Sequence, residues 1–89
     1  MELSKALQQR IVNICKEKGL TLNKLATNSG ISYSTLFSIF YGKSKSPQIS
    51  TILHICEGFN ITLGAFFDDP LFNDVEFEED HGKNISDII

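Results

Sequence analysis

Apolar residues recur every three or four positions through most of this chain, with polar residues between them. That spacing is typical of amphipathic helices, whose apolar side packs against a core. The pattern breaks at short polar segments containing glycine, serine or threonine, which commonly begin and end helices. We therefore predict an all-α domain whose first four helices cover about residues 3–18, 22–28, 33–41 and 49–58. A fifth, shorter helix carries Leu63, Phe66 and Phe67.

Each predicted helix has a residue suited to start or stop it. Gly19 is placed to end the first helix. Thr21 precedes the second helix, where its hydroxyl can accept a hydrogen bond from a free backbone N–H. Ser32 and Thr62 occupy the equivalent positions before the third and fifth helices. Gly30 lies between the second and third helices and is expected to make the turn.

The second and third predicted helices carry three residues with a specific steric meaning. Two short helices cross at a steep angle only if the first has a small side chain at the crossing, and Ala26 meets that need. The turn requires a residue that tolerates a positive φ angle, which Gly30 does. The following helix needs a branched apolar side chain that points back to the core, and Leu36 supplies it. This order and spacing predict a helix-turn-helix whose latter helix is free to enter a DNA major groove.

After residue 67 the helical pattern weakens, so we divide the chain into a domain of residues 1–67 and an acidic tail of residues 68–89. Asp69 and Pro70 are suited to cap and open one more helical turn. The segment 75–78 instead alternates between apolar and acidic residues, as an edge strand does. Both interpretations remain open at this point.

The length of 89 residues and the hydrophobic content of 42% fit one small domain and exclude a disordered chain. No apolar run is long enough to cross a membrane. The chain begins with an amphipathic segment instead of a signal peptide, so we expect a cytoplasmic protein. Cys15 and Cys56 fall on the apolar sides of predicted helices, and we interpret both as small core residues. A disulfide or a metal pair is the less favoured alternative.

The net charge of −3 conceals two segments of opposite sign. Residues 1–67 hold seven lysines and arginines against three glutamates, which gives +4. Residues 68–89 hold eight acidic residues against one lysine, which gives −7. A mildly basic domain therefore carries an acidic tail.

Three stretches in register resemble the Cro/repressor (XRE-type) helix-turn-helix family of bacterial and phage transcriptional regulators. The first is Gly19-Leu20-Thr21-Leu22 leading to Ala26 and Gly30, the second is residues 41–47, YGKSKSP, and the third is residues 52–63, ILHICEGFNITL. The resemblance covers about residues 5–67 and implies the compact five-helix fold of lambda-repressor-like DNA-binding domains.

The resemblance also implies which residues contact bases. In this family the third helix lies in the major groove with its first residues against base edges. By position, the contacting side chains are those of Ser32, Tyr33, Ser34 and Ser38. None of the four is Arg, Asn or Gln, so we predict modest direct readout of sequence. The alternative for these residues is a solvated polar helix face.

Two phenylalanines in the third predicted helix need a separate interpretation, because this helix is apolar around more than one face. We interpret Phe40 as a core residue. For Phe37, a contact with a base methyl group and a contact with a protein partner are equally favoured.

Affinity for DNA should depend on phosphate contacts. Candidates are Lys43 and Lys45 in the loop after the third helix, and Ser46 and Gln48 before the fourth. Thr21 and the first amides of the second helix offer another anion site. The alternative is that the two lysines are simply solvated.

Family members usually bind inverted half-sites as two-fold dimers, so the resemblance implies a homodimer. Candidates for the dimer surface are the aromatic and aliphatic residues near the end of the domain. They pack either on the core or on a second subunit, because they are too apolar to remain in water: Phe66, Phe67, Leu71 and Phe72.

We expect a sequence-specific regulator of double-stranded DNA, acting as a repressor and needing no cofactor. The alternative is a protein-interaction module, such as an antitoxin-like protein, that grips a partner with its aromatic and acidic C-terminal segment. The acidic tail fits three interpretations: a solvating tail, a docking segment for a protein partner, or a competitor of DNA for the basic domain. We expect neither an enzyme nor a metal site, since no His, Cys or Ser spacing suits either.

Overall fold

The computed structural model describes residues 1–41 and 46–76. The helices are α1 (Leu3–Lys18), α2 (Leu22–Ser29), α3 (Tyr33–Tyr41), α4 (Ile49–Phe59) and α5 (Leu63–Phe67), followed by a 3₁₀ helix (Pro70–Asp74). Across the described ranges every regular element is helical. The predicted all-α fold and its order of five helices are therefore confirmed, with helix ends within one residue of those expected.

The predicted helix ends have the local geometry that their residue types favour. Gly19 and Gly30 adopt left-handed φ angles of 65° and 68° at the ends of α1 and α2. The hydroxyl oxygens of Thr21 and Thr62 each accept a hydrogen bond, 3.1 and 3.0 Å long, from the backbone N–H three residues later. Each cap satisfies a backbone group that the helix itself leaves unpaired.

One core joins all five helices. Its largest fully buried side chains come from α1, α2, α3, α4 and α5: Ile11, Leu25, Leu36, Ile52, Ile55, Phe59 and Phe66. Cys15 and Cys56 are free thiols within the same core, which confirms that they serve as small core residues. Burial raises the pKa of both thiols above the usual value. No helix in the part of the chain that the structure describes could span a bilayer.

The most extensive helix–helix contact among the described residues joins α2 to α4. At this crossing Gly58 of α4 lies against Ser29 of α2, whose side chain is buried without a hydrogen-bond partner in the described residues. A Cβ at position 58 would overlap the Ser29 hydroxyl and lie 3.0 Å from the Ser29 backbone nitrogen. The absence of a side chain at Gly58 therefore sets how closely α4 approaches the helix-turn-helix.

Arg10 of α1 fixes the end of α5. Its Nε donates a hydrogen bond to the Phe66 carbonyl oxygen at 2.7 Å, and its Nη2 donates to the Ala65 carbonyl oxygen at 2.9 Å. Its Nη1 donates to Asp69 Oδ2 at 3.0 Å, and the Arg10 side chain is only 14% exposed. Because α5 has five residues, these donors satisfy carbonyl groups that so short a helix leaves free. The sequence alone gives Arg10 no role beyond its positive charge.

The residues after α5 form the extra helical turn that was one of the two predicted alternatives. Pro70 opens the 3₁₀ helix, and Asp69 Oδ1 accepts a hydrogen bond from the Leu71 N–H at 2.9 Å. The Glu76 N–H donates to the Met1 carbonyl oxygen at 3.1 Å, so contacts with the start of the chain continue beyond the predicted boundary at residue 67. Val75 and Glu76 belong to no strand, and the rest of the predicted edge strand and acidic tail lies outside the described residues.

The aromatic residues near α5 divide between the core and the surface. The rings of Phe66, Phe67 and Phe72 contact one another, with centroid separations of 5.0 to 6.1 Å. Phe66 is fully buried in the core of its own chain and is therefore removed from the candidate dimer surface. Phe67, Leu71 and Phe72 are partly exposed.

We expect Gly58→Ala to lower the free energy of unfolding by about 1 to 3 kcal/mol, because the new methyl group overlaps Ser29. Gly64→Ala is the matched control, since a Cβ there meets nothing closer than Thr62 Oγ1 at 3.9 Å. Alanine also favours a helix over glycine, so the control should unfold no earlier than the parent. Urea unfolding followed by circular dichroism measures both. Equal stability of the two variants would contradict the close approach of α2 and α4.

We expect Arg10→Met to cost about 2 kcal/mol of unfolding free energy, because it leaves two carbonyl groups and a carboxylate without their charged donor. Gln9→Ala is the control on the same helix, since the only side-chain bond of Gln9 among the described residues is an exposed one to Asn13. Urea unfolding should show a clear loss for the first variant and almost none for the second. An unchanged free energy of unfolding in Arg10→Met would show that α5 needs no such cap.

Candidate nucleic-acid interface

The connection between α2 and α3 has the geometry of a helix-turn-helix. The Ile31 N–H donates a hydrogen bond to the Ala26 carbonyl oxygen at 3.2 Å across the left-handed residue Gly30. Ala26 is 3% exposed and Leu36 is fully buried, so both face the core. The turn and the two inward residues therefore fix α3 against α2 with its opposite side free.

The inward side of α3 is apolar. Leu36 and Ile39 are buried, and Phe40 is partly buried and packs against the core, as predicted for it. The Gln8 side chain of α1 donates a hydrogen bond to the Ile39 carbonyl oxygen at 2.9 Å, near the end of α3. These contacts leave the remaining side chains of α3 on the outer surface.

The first part of that outer surface is an aromatic stripe made of Tyr33, Phe37 and Tyr41. These residues are four positions apart, so they lie one above another along the helix. Their ring centroids are 5.5 and 4.4 Å apart. The three residues are 41%, 39% and 72% exposed. A helix of nine residues thus presents three contacting aromatic rings to its surroundings.

Beside the aromatic stripe lies a hydroxyl stripe made of Ser34, Thr35 and Ser38. The Ser38 hydroxyl donates to the Thr35 carbonyl oxygen at 2.7 Å, whereas Ser34 has no hydrogen-bond partner among the described residues. Ser32 precedes the helix, and its hydroxyl oxygen accepts a hydrogen bond from the Thr35 N–H at 3.1 Å. Of the four predicted base-contacting residues, Tyr33 and Ser34 are exposed, and their hydroxyls make no hydrogen bond to a described residue. The hydroxyls of Ser32 and Ser38 bond to backbone groups of α3.

The predicted phosphate-contacting residues occupy two places. Ser46 and Gln48 line a polar cleft between α3 and the start of α4, together with Thr35, Ser38 and Thr51. Gln48 precedes α4 and provides no side-chain cap, while its carbonyl oxygen accepts a hydrogen bond from the Thr51 N–H at 3.0 Å. Thr21 is exposed and caps α2. Lys43 and Lys45 lie outside the described residues.

Sequence reasoning missed Thr35 and Tyr41 as members of the exposed side. Their signal was present in the helical period, because Tyr41 follows Tyr33 and Phe37 at the same spacing and Thr35 lies beside Ser38. With Thr35 and Tyr41 included, the exposed side of α3 is one continuous surface and not four separate contacts.

Similarity to known proteins identifies the family of the domain that carries this surface. A family model described as the Cro/C1-type HTH DNA-binding domain matches residues 10–70, which is more than half of the chain. The chain belongs to this family. A solved structure described as the crystal structure of the prophage Lp1 protein 11 is similar, with a TM-score of 0.73 and 33% identity. The match covers 84% of this chain and all of that one. No curated protein matches the sequence.

Membership of the Cro/C1-type family supports DNA as the partner of this chain and a role in transcription regulation. It also agrees with the predicted Cro/repressor resemblance over nearly the same residues. Proteins of this DNA-binding type are generally not enzymes. Within the described ranges, no three His, Cys, Asp or Glu side chains are grouped as metal ligands.

Substitution can distinguish the serine that caps α3, Ser32, from the exposed serine, Ser34. We expect Ser32→Ala to destabilise the protein by about 1 kcal/mol, because it removes the N-cap of α3. Ser34→Ala should leave stability almost unchanged, since its hydroxyl bonds to none of the described residues. Thermal unfolding followed by circular dichroism distinguishes the two. Similar melting temperatures for both variants would show that the Ser32 hydroxyl does not support the helix.

Proposed function

We propose that this protein is a sequence-specific DNA-binding repressor that binds an inverted-repeat operator as a homodimer. In this proposal α3 enters the major groove, and the protein works in the cytoplasm beside its DNA. The observation that carries it is the orientation of α3. Leu36 and Ile39 face the core, while Tyr33, Phe37 and Ser34 face outward from a Cro/C1-type domain.

Base contacts are proposed for Tyr33, Ser34 and Ser38, with Ser32 as a residue that shapes the start of the helix as well. Both tyrosine and serine hydroxyls can donate to or accept from a base edge. Exposure supports Tyr33 and Ser34 as the stronger candidates, because their hydroxyls need not leave a bond within the described part of the protein. Changes at these two positions should alter which sequence is preferred.

Phosphate contacts are proposed for Thr21, Lys43, Lys45, Ser46 and Gln48. The cleft that Ser46 and Gln48 line opens next to the hydroxyl stripe, so a backbone running past α3 would meet these polar groups. The start of α4 has no side-chain cap, so its first two N–H groups and its positive helix dipole lie at the same place. Together with Lys43 and Lys45, which precede these groups in the sequence, they suit a polyanion.

A homodimer is proposed because one helix in one groove reads only a few base pairs. Phe67, Leu71 and Phe72 are its candidate contacts, since each keeps part of its surface exposed beside the 3₁₀ helix. The partner role of the acidic segment stays a prediction, and residues 77–89 lie outside the described part of the chain.

Salt dependence tests this proposal directly. With about four phosphates neutralised by each protomer, the logarithm of the binding constant should fall with the logarithm of salt concentration at a slope of about −3 to −4 per protomer. Lys43→Ala and Lys45→Ala should each weaken binding to all duplexes and reduce the steepness of that slope by about 1. Fluorescence anisotropy with the protein's own upstream DNA and with random duplex measures both.

Lys43→Arg and Lys45→Arg are the controls, because they preserve charge and should preserve the slope. Stoichiometry in the same titration reports whether two chains bind one site. Equal affinity for upstream and random DNA, with a second protein co-purifying in fixed ratio, would replace this proposal with the protein-interaction module.

A further inference from the structure

The outer side of α3 lacks every side chain that makes strong two-pronged contacts with bases. Residues 32–41 contain no Arg, Lys, Asn, Gln, Asp or Glu. Arg, Asn and Gln give the usual discrimination of guanine and adenine through paired hydrogen bonds. Sequence preference along this part of α3 must therefore come from hydroxyl groups and from apolar contact.

Apolar contact is available along the whole length of the helix. The aromatic stripe runs from Tyr33 to Tyr41, which at 1.5 Å per residue corresponds to about 12 Å. Successive base pairs are about 3.4 Å apart, so a stripe of this length lying along the groove would span about three base-pair steps. The rings also contact one another, at 5.5 and 4.4 Å between centroids. Because each ring already restricts its neighbour, little side-chain freedom remains to be lost on binding.

In unmodified DNA the apolar group that a base displays in the major groove is the C5-methyl group of thymine. We propose that the aromatic stripe reads these methyl groups, so that the preferred half-site carries thymines at successive positions under α3. This inference rests on the proposed function and specifies what that site recognises. It also gives a role to Phe37, whose side chain has no hydrogen-bond donor or acceptor.

The position of the stripe favours DNA over a protein partner as its occupant. The aromatic and hydroxyl stripes share one exposed side of the same short helix. A protein seated on Phe37 and Tyr41 would also cover Ser34, which lies about 60° from Phe37 and about 20° from Tyr41 around the helix axis. Both stripes can be used together only if a single ligand covers them, and the major groove offers both methyl groups and hydrogen-bonding edges.

Replacement of thymine by deoxyuridine provides the test, because it removes the methyl group and keeps the O4 acceptor. Full-length protein first selects sites from a pool of random duplexes. The enriched duplex is then made again with deoxyuridine at single positions. We expect each replacement under α3 to weaken binding about fourfold, the value of one methyl group removed from water. Replacements outside the site should change nothing, and equal binding of thymine and deoxyuridine duplexes would overturn the inference.

Matched variants assign the effect to the stripe. Phe37→Ala and Leu53→Ala remove apolar side chains of similar exposure, 39% and 42%, from α3 and from the outer side of α4. Phe37→Ala should bring the thymine-to-deoxyuridine ratio close to one at one or more positions. Leu53→Ala should keep the parent ratio. A Phe37→Ala protein that retains the ratio but changes its oligomeric state in sedimentation would assign the stripe to a protein contact and overturn the inference.

The same selection distinguishes a failure of the proposed function from a failure of the methyl-group inference. If the selection enriches no sequence, the proposed function fails and this inference fails with it. If a sequence is enriched but its methyl groups do not matter, only the inference fails, and the hydroxyl stripe becomes the source of specificity.

Discussion

Close approach of α2 to its neighbours is the constraint on which the rest of the structure depends. Ala26 and Ser29 are both buried on α2, and Gly58 of α4 has no side chain where it meets Ser29. Large side chains at these positions would push the helices apart, because packed interiors have almost no spare volume. With small residues there, α2 contacts α3 on one side and α4 on another. The helix-turn-helix is therefore held by steric fit, and the outer side of α3 takes no part in this packing.

That freedom explains the composition of α3. Six of its nine residues are aromatic or aliphatic, because aromatic residues occupy outward positions as well as inward ones. Such exposure has a cost in water, and an isolated domain gains nothing from it. A ligand with apolar and hydrogen-bonding groups side by side would offset that cost. The major groove of DNA has both, which links the surface of α3 to the family to which the chain belongs.

The far end of the domain depends on a different interaction. Helix α5 is too short to persist alone, and it is held by Phe66 in the core and by the Arg10 guanidinium at its carbonyl end. The same guanidinium pairs with Asp69 and so positions the 3₁₀ helix that follows. Phe67 and Phe72 thereby come to lie together at the surface, 5.0 Å apart between ring centroids. A side chain from α1 thus positions the candidate dimer surface.

The primary structure is enough to predict the helices, their caps and the turn at Gly30, because periodicity and capping are local properties of neighbouring residues. It also indicated the family, through stretches whose spacing is part of the primary structure. Tertiary structure alone decided the contacts between distant residues: Gly58 with Ser29, Arg10 with the end of α5, and Phe66 as a core residue. It likewise decided that Tyr41 belongs to the exposed stripe. Helical spacing reveals which residues share a face, but which face is covered depends on the neighbours that the fold brings against it.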